Sequence, residues 1–568
     1  MTLPTAADRA LRLADFATLT EALDFAATGP TGLTLHSLRG DVAEALSYAD
    51  LRGQAVSLAQ NLLATGLERG DRVGLIAETD GDFIRAFFAC QYAGLTPAPL
   101  PLPAPLGGRE PYVAQIGRML ESADAAALLG PATITAWMSD QHPAGVRFVG
   151  GLADLPAGVG ADLPAVGPDD PCYLQFSSGS TRFPTGVLVT HKALMANALA
   201  TTRYGLQVTA GDRASSWLPL YHDMGLVGFL LSPLTCQMSV DLMPTGAFVR
   251  RPLLWLDLLS RNGGTISYSP TFGYELCARR GEAAGVDGLD LSKWRIAGLG
   301  GDMIRTGPLR EFAKQFAGAG FSSKAYVASY GMAEATLGLS MAPLERGIVA
   351  ETLDINRLEN DGQAIAASGA TRSRDFVRCG PPLPSHELQI RNETGQVLPE
   401  RAVGQVYARG PSLMQGYFRQ PEETARVLSA DGWLETGDIG FIEEGEIVLT
   451  GRRKDLIIIN GRNIWPQDLE WTCEAELAAV RSGDVAAFSV PGPDEEQIVV
   501  LVQSRNSDPA ARAELTSEVE RVLRQRHSVD AVVKLIGSHA LPQTSSGKLS
   551  RSKARTAYLA GGYDLERA

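Results

Sequence analysis

Leu174-Gln-Phe-Ser-Ser-Gly-Ser-Thr-Arg-Phe-Pro-Thr-Gly-Val-Leu-Val-Thr190 sets a hydroxyl- and glycine-rich loop between two apolar runs. Residues 172–176 and 187–190 are short and rich in β-formers, so both read as strands and pin the loop at its ends. Ser177, Ser178, Ser180 and Thr181 bring four hydroxyls around Gly179, whose missing Cβ lets backbone N–H groups approach an anion closely. This is the composition of a phosphate grip and equally that of a plain Ser/Gly surface turn. A Walker P-loop is excluded, because no Gly-Lys-Ser/Thr opens a helix here.

Upstream, Ser47-Tyr-Ala-Asp50 has the capping-box pattern, and Leu51, Ala55, Leu58 and Leu62 follow on one helical face that closes at Gly66. Residues 72–77 then read as a strand and 82–90 as a helix, which begins the β/α alternation of a wound sheet. The proline-rich stretch 97–105 cannot be helical and reads as an extended surface connector. The longest uncharged run, 224–240, is broken by Pro233 and polar residues; it is too irregular for a membrane span and reads as buried core.

Downstream, residues 342–375 are polar and weakly periodic, the pattern of an inserted, partly mobile segment. Strand character resumes at 404–410 and 446–450, and Gly451-Arg-Arg-Lys-Asp455 is a charged break suited to a hinge. Beyond it, 457–459, 484–490 and 497–502 read as strands, while Leu515, Val519, Val522 and Leu523 share a helical face. A small α+β domain accounts for them, and no fixed-period repeat is present.

Composition narrows the function class. A chain of 568 residues needs two to four domains or subdomains, and 45% hydrophobic with 20% charged residues marks a globular protein. Lys+Arg 51 against Asp+Glu 64 gives a net charge of −13, which disfavours nonspecific nucleic-acid binding and anionic membranes, so an acidic ligand needs a local basic site. The six cysteines are scattered without a C-x-x-C pair, and the N-terminus lacks a signal-peptide pattern; a cytoplasmic location is expected.

Seven motifs line up in one order: Ser177-Ser-Gly-Ser-Thr181, Leu218-Pro-Leu-Tyr-His-Asp-Met-Gly225, Gly300-Gly-Asp302, Ser329-Tyr-Gly-Met-Ala-Glu334, Thr436-Gly-Asp438, Gly451-Arg-Arg-Lys-Asp455 and Pro542-Gln-Thr-Ser-Ser-Gly-Lys548. Together they resemble the acyl-adenylate-forming enzymes, from the first helix to the C-terminus. Within them the chain looks most like the fatty acyl-AMP ligases, on the Ser-Gly-Ser-Thr-Arg-x-Pro form of the loop, Tyr221-His-Asp-Met-Gly225 with Ile266-Ser-Tyr-Ser-Pro-Thr-Phe272, and Gly461-Arg-Asn-Ile-Trp-Pro-Gln-Asp-Leu-Glu470. Residues 342–375 fall where that family carries an insertion proposed to restrict the domain rotation needed for transfer to coenzyme A.

The resemblance implies an α/β fold: a large N-terminal adenylate-forming body of several subdomains (1–451), a hinge (452–455) and a small mobile α+β C-terminal domain (456–568). It implies ATP-dependent activation of a medium- or long-chain fatty acid to an acyl-adenylate with release of pyrophosphate. The acyl group then passes to the phosphopantetheine thiol of a separate acyl carrier protein or a polyketide or nonribosomal synthase carrier domain, no carrier domain following Ala568. The rivals are a fatty acyl-CoA ligase and a non-catalytic acyl or nucleotide sensor.

Two anions must meet in this reaction, so cations and N–H donors are its natural catalysts. Lys548, in a Ser/Gly-rich loop, matches the catalytic lysine, though by itself it is also an ordinary surface lysine. Glu334 is the expected Mg²⁺ ligand or, otherwise, a helix N-terminal acid. Asp438 matches the ribose-binding acid or a turn aspartate. Arg452 and Arg462 resemble further ribose or phosphate contacts, and Lys454 matches the hinge. Gly300, Gly301 and Asp302, with Ser329, Tyr330, Gly331 and Met332, match the adenine site, where a flat base stacks on Tyr330. His222 resembles a residue between the acyl and adenylate sites, and Trp217, Phe229, Phe272 and Tyr274 suit either an acyl tunnel or a core. The chain departs from the broader superfamily in one respect: Thr185 stands before Gly186 where a loop lysine is usual, which leaves Arg182 as a partial replacement.

Overall fold

The computed structural model describes residues 2–6, 10–103, 108–158, 160, 162–177, 185–459, 462–492, 496–543 and 548–563. Its main body is built on an eight-stranded sheet in the order Gly338–Met341, Tyr326–Gly331, Ile296–Leu299, Ile266–Ser269, Arg213–Ser216, Ser239–Leu242, Gly32–His36, Val42–Ser47. The inner strands are parallel and the two edge strands antiparallel. Four consecutive inner strands are buried along their whole length, as expected of parallel strands covered on both faces. The helix expected after Ser47 is Tyr48–Ala64, with the Ser47 hydroxyl accepting from the Asp50 N–H at 3.0 Å and Leu51, Ala55 and Leu62 facing the core.

A second parallel sheet runs Thr96–Leu100, Arg72–Ile76, Ala125–Leu129, Phe148–Gly150. Its first strand corrects the reading of the proline-rich stretch as a surface connector, for residues 96–100 are all buried. Pro97 and Pro99 alternate with Thr96, Ala98 and Leu100, so both missing N–H groups belong to the same side of an edge strand of this sheet, where no ladder bond is lost. The strands Pro171–Ser177 and Thr185–Thr190 pair antiparallel down to Ser177↔Thr185, so they form the hairpin expected at the hydroxyl loop. Ser178, Gly179, Ser180, Thr181 and Arg182 lie outside the described residues, as does the side chain of Ser177.

The segment expected to be weakly ordered instead has its own core. Ala350–Asp354 pairs antiparallel with Ser373–Val377 around the helix Ile355–Asp361. Leu353, Ile355, Leu358 and Phe376 pack with Ile439, Phe441, Val448 and Trp465. Polarity along the sequence hid this because the hairpin's other face is a row of ion pairs. Its neighbour is a four-stranded antiparallel sheet, Glu387–Arg391, Gly404–Arg409, Leu434–Glu443, Glu446–Arg452.

After the turn Arg453–Asp455, the chain forms a three-stranded sheet, Val485–Pro491, Glu496–Gln503, Ala531–Ile536, covered by the helices Pro466–Glu476 and Pro509–His527. Leu515, Val519, Val522 and Leu523 are buried there, as their spacing predicts. This part is tied to the rest by charge. Arg374 pairs with Asp468, Arg372 Nη2 lies 3.0 Å from His527 Nδ1, and Arg305 Nη1 lies 3.2 Å from Glu474 Oε2.

Candidate active site

The parallel strands of the large sheet hand their loops to one edge, the carboxyl edge, where ligands bind in open α/β sheets. Ile296–Leu299 leads into Gly300-Gly301-Asp302, Tyr326–Gly331 into Met332–Glu334, and Arg213–Ser216 into the loop bearing Tyr221 and His222. Two adjoining cavities open there, of about 180 and 260 Å³. They share Gly301, Ser329, Tyr330, Gly331, Asp438, Arg452, Lys454 and Lys548. Gly300, His222, Met332 and Glu334 line the larger cavity and Asp302 the smaller. Residues spread over 327 positions of sequence, from 222 to 548, thus meet at one site.

Lys548 enters from the C-terminal part. Burial pushes its ammonium pKa down, while Asp302, Asp223 and Asp438 work in the opposite sense and Arg452 adds to the depression. Gly301 makes room for it: its φ is +77°, and a Cβ there would stand 3.3 Å from Lys548 Nζ. Asp223, which the sequence reading quoted within a motif but assigned no role, is the second acid facing the lysine. Burial acts to raise its pKa, but His222 (Nδ1 2.6 Å from Oδ1), Lys548 and the Met224 N–H outweigh burial and hold the carboxyl below its usual value.

Asp438 and Arg452 face each other on paired strands, Nε 3.4 Å from Oδ1. The other carboxylate oxygen accepts from the Tyr330 hydroxyl at 2.8 Å. One aspartate therefore fixes both the aromatic ring expected against adenine and the arginine beside it. Burial raises the Asp438 pKa, partly offset by Arg452 and Tyr330.

Glu334 sits on a loop that closes on itself, with the Met332 N–H donating to the Leu337 carbonyl at 2.8 Å. Inside it Thr336 has φ +69° and ψ −56°, and the Leu337 N–H donates to the Ala335 carbonyl at 2.8 Å: a γ-turn of the rare positive-φ type. Such strain persists only where the surroundings over-determine it. Here the buried Thr336 hydroxyl donates to the Ser412 carbonyl at 2.7 Å. Asn197 Nδ2 donates to the carbonyls of Gly338 (2.8 Å) and Ala335 (3.2 Å), and His386 Nε2 lies 2.6 Å from Ser412 Oγ. Asn197, His386 and Ser412 were not foreseen; no signal in their residue types or spacing singles them out. The Glu334 carboxylate accepts from the Tyr417 hydroxyl at 3.0 Å, and burial pushes its pKa up.

The larger cavity continues between Leu206, Phe229, Ile266, Tyr268, Leu337 and Met341, an apolar wall suited to an alkyl chain. Two wide π-helical turns, Ala200–Gly205 and Val227–Leu231, carry Thr201, Gly228 and Phe229 into this wall. Of the four aromatic candidates only Phe229 lines it. Trp217 stacks on Phe248 at 3.8 Å and Phe272 packs on Trp217, while Tyr274 is sealed among Trp255, Trp294 and Phe312.

Arg462 stands apart from the other expected site residues. It lines neither cavity; its guanidinium is held by Glu359 Oε2 (2.8 Å) and the His527 carbonyl (2.7 Å). The Glu359 side chain is fully buried, and Arg372 and Arg462 supply the compensating charge from either side.

Residues 26–418 match the AMP-binding enzyme family. A protein of Caulobacter vibrioides bearing the provisional name acyl-CoA synthetase is 66% identical over 99% of both chains. The medium-chain-fatty-acid–[acyl-carrier-protein] ligase JamA of Moorena producens is 32% identical over 91% of this chain and 90% of its own. A solved structure from work on the fatty acyl-adenylate ligases of E. coli and L. pneumophila superposes with a TM-score of 0.93 at 41% identity, covering 97% of this chain and 100% of that one. With a lysine, a ribose-type acid and an alkyl-lined cavity converging at the expected motifs, the chain belongs to the AMP-binding enzymes, as an acyl-adenylate-forming ligase of the fatty acyl-AMP ligase group.

Proposed function

We propose that this enzyme joins a medium- or long-chain fatty acid to AMP and then delivers the acyl group to the phosphopantetheine thiol of a separate carrier protein. The observation that carries this reading is the position of Lys548, half-buried where the Asp438–Tyr330–Arg452 cluster meets the alkyl-lined cavity. In the first step a carboxylate oxygen attacks the α-phosphorus of ATP, forming the acyl–phosphate bond as the bond to pyrophosphate breaks. Lys548 supplies positive charge to both anions at their point of approach. Asp438 and Arg452 hold the ribose, Tyr330 stacks on adenine, and Leu206, Phe229 and Tyr268 exclude water from the alkyl chain. In the second step the thiol sulfur attacks the acyl carbonyl and AMP leaves.

Glu334 fits Mg²⁺. No cluster of three or more metal-ligating side chains exists among the described residues, and Mg²⁺ needs none, since it binds through one or two carboxylates with substrate phosphates and water. When bound it neutralises charge on the phosphates; what this chain contributes is a carboxylate held in place by Tyr417 and by the clamped turn behind it.

Fatty-acid-dependent exchange of pyrophosphate into ATP tests the first step, and its absence in the parent enzyme overturns the reading. The name of the C. vibrioides relative favours a second acceptor, coenzyme A. Incubation with ATP, lauric acid and either coenzyme A or a holo-acyl carrier protein decides between them: acyl-carrier as the main product supports the proposal, abundant acyl-CoA refutes it.

A further inference from the structure

Two turns at the carboxyl edge of the large sheet join into a basic, partly apolar surface beside the active site. The first leaves the strand Gly32–His36 and carries Leu38 and Arg39; the second leaves Ser239–Leu242, forms the helix Thr245–Arg250 and carries Val249, Arg250 and Arg251. They are in contact: Arg251 Nη1 donates to the Arg39 carbonyl at 3.4 Å, and Gly40 lies so close to Leu254 that a Cβ would meet its side chain at 2.4 Å.

Leu38 is 47% and Val249 63% exposed, and Arg39, Arg250 and Arg251 are exposed around them. None of these arginines makes an ion pair among the described residues. Asp41 and Asp257 are the acids on the same segments, and Asp257 is already taken by Arg261 at 3.1 Å. A concentration of positive charge around exposed aliphatic side chains is out of keeping with a chain of net charge −13.

The surface is joined to the catalytic edge. Phe248, next to Val249, stacks on Trp217 with ring centres 3.8 Å apart and planes 5° from parallel. Thr245 Oγ1 donates to the Trp217 carbonyl at 2.8 Å. Trp217 opens the loop that ends in Tyr221 and His222, both on the wall of the larger cavity. The strands feeding the two turns stand one and two places from the strand feeding that loop, at about 4.8 Å per place.

We propose that Leu38, Arg39, Val249, Arg250 and Arg251 form the docking surface for the thiol donor of the second step, a carrier protein presenting an acidic helix with an apolar stripe. This rests on the carrier-transfer reading above. The charge is complementary: elsewhere the net negative field of this chain repels an acidic partner, and here three arginines attract it, while Leu38 and Val249 supply desolvated contact. Coenzyme A is also polyanionic, but it offers no apolar face to cover Leu38 and Val249.

The test uses the full-length enzyme with a purified holo-acyl carrier protein of net negative charge and, separately, coenzyme A. The triple variant Arg39→Glu/Arg250→Glu/Arg251→Glu is expected to retain parental pyrophosphate exchange, which needs no thiol acceptor and so also reports intact folding. Its KM for the carrier is expected to rise at least about tenfold, and salt is expected to weaken the parent's transfer more steeply than the variant's. Leu38→Asp/Val249→Asp is expected to raise the same KM while leaving exchange intact. Transfer by both variants with parental KM and salt dependence overturns the docking surface and leaves carrier transfer standing. Efficient transfer by the parent to coenzyme A, with a KM raised in the triple variant, assigns the arginines to a nucleotide phosphate and refutes the proposal. No transfer by the parent to the carrier, with exchange intact, refutes carrier transfer and the surface together.

Discussion

Asn197→Ala tests whether the clamp behind Glu334 positions the catalytic loop. Asn197 is fully buried on the helix His191–Leu199, and its amide holds the Gly338 carbonyl at 2.8 Å, the Ala335 carbonyl at 3.2 Å and Ser412 Oγ at 3.2 Å, while its oxygen accepts from the Gly338 N–H at 3.3 Å. Ala335 keeps other partners after truncation, Ser412 Oγ at 3.1 Å and the Leu337 N–H. Gly338 loses this side-chain partner at both its N–H and its carbonyl. At roughly 1–3 kcal/mol for each of these two buried polar groups, less about 0.7 kcal/mol recovered from alanine's better helix propensity, the net destabilisation is about 1–5 kcal/mol. The turn at Thr336, no longer over-determined, relaxes from its positive φ, and Glu334 moves with it. A displacement near 1 Å costs on the order of 10²-fold in rate, so pyrophosphate exchange should fall about 10- to 100-fold with the Mg²⁺ requirement shifted to higher concentration. Urea unfolding and Mg²⁺ titration of exchange measure the two effects. A Ser412→Ala cycle should show coupling, because both side chains share Ala335. The reasoning fails if Asn197→Ala unfolds within 0.5 kcal/mol of the parent, the ordinary range of surface substitutions, or if it loses stability while Mg²⁺ dependence and rate stay parental.

Lys548→Ala should lower exchange by at least about 10²-fold, the scale of one transition-state donor. Because burial depresses the Lys548 pKa, exchange kcat/KM in the parent should fall on the alkaline side below the usual lysine range, and Lys548→Arg should remove that limb whatever its rate. Tyr330→Phe, which leaves Asp438 Oδ2 without its 2.8 Å donor, should raise the KM for ATP with a smaller effect on the fatty acid; equal effects on both would refute its placement against adenine. Glu474, buried between Arg305, Glu275 and Glu470, has its pKa raised to about 7 by burial against the pull of Arg305. A folded-state pKa above the free value of 4.5 means the native form holds the extra proton. Stability from this group is therefore present at low pH and lost between about pH 4.5 and 7, at most about 3 kcal/mol, and Glu474→Gln should flatten that part of the thermal-stability profile.

The sequence made the fold legible wherever local periodicity and burial agree. The helix after Ser47, the hairpin flanking the hydroxyl loop and the buried face of Pro509–His527 are set by neighbours a few positions apart. It misled where a tertiary partner changes the meaning of a residue. Prolines 97 and 99 are compatible with a strand only because that strand is an edge of its sheet, and the polar hairpin 350–377 is held by a core shared with Ile439, Phe441 and Trp465 while Asp468 and His527 meet its arginines. The site divides in the same way. Lys548, Asp438 and Glu334 sit in compact motifs, which is why resemblance singles them out, and the fold brings them to the same pair of cavities. Asn197, His386 and Ser412 are single residues 26 to 215 positions apart, and nothing local distinguishes them from any buried amide, imidazole or hydroxyl. Arg462 follows a motif, yet its partner Glu359 lies in the hairpin 350–377, about a hundred residues earlier, and no local signal points to that pairing.

The charge balance of the cleft shows how the threonine at 185 is tolerated where a loop lysine is usual. Four cations, Arg452, Lys454, Lys548 and Arg551, face six carboxylates, Asp223, Asp302, Glu334, Asp375, Asp438 and Asp455, along the two cavities. Arg551 is committed to Glu470 and Asp455, and Arg452 to Asp438. The described residues therefore present a net negative cleft to a polyanionic nucleotide. That is unfavourable unless cations arrive with the substrate. Burial raises the pKa of Glu334 and of Asp438, the expected response of carboxylates short of counter-charge. Glu334 would hold a divalent cation carried by ATP, whose charge would offset the excess of carboxylates, and Lys548 lines both cavities, where phosphate and fatty carboxylate would meet. Binding of nucleotide and metal should accordingly be strongly cooperative, the metal offsetting the repulsion between the nucleotide phosphates and the cleft's carboxylates.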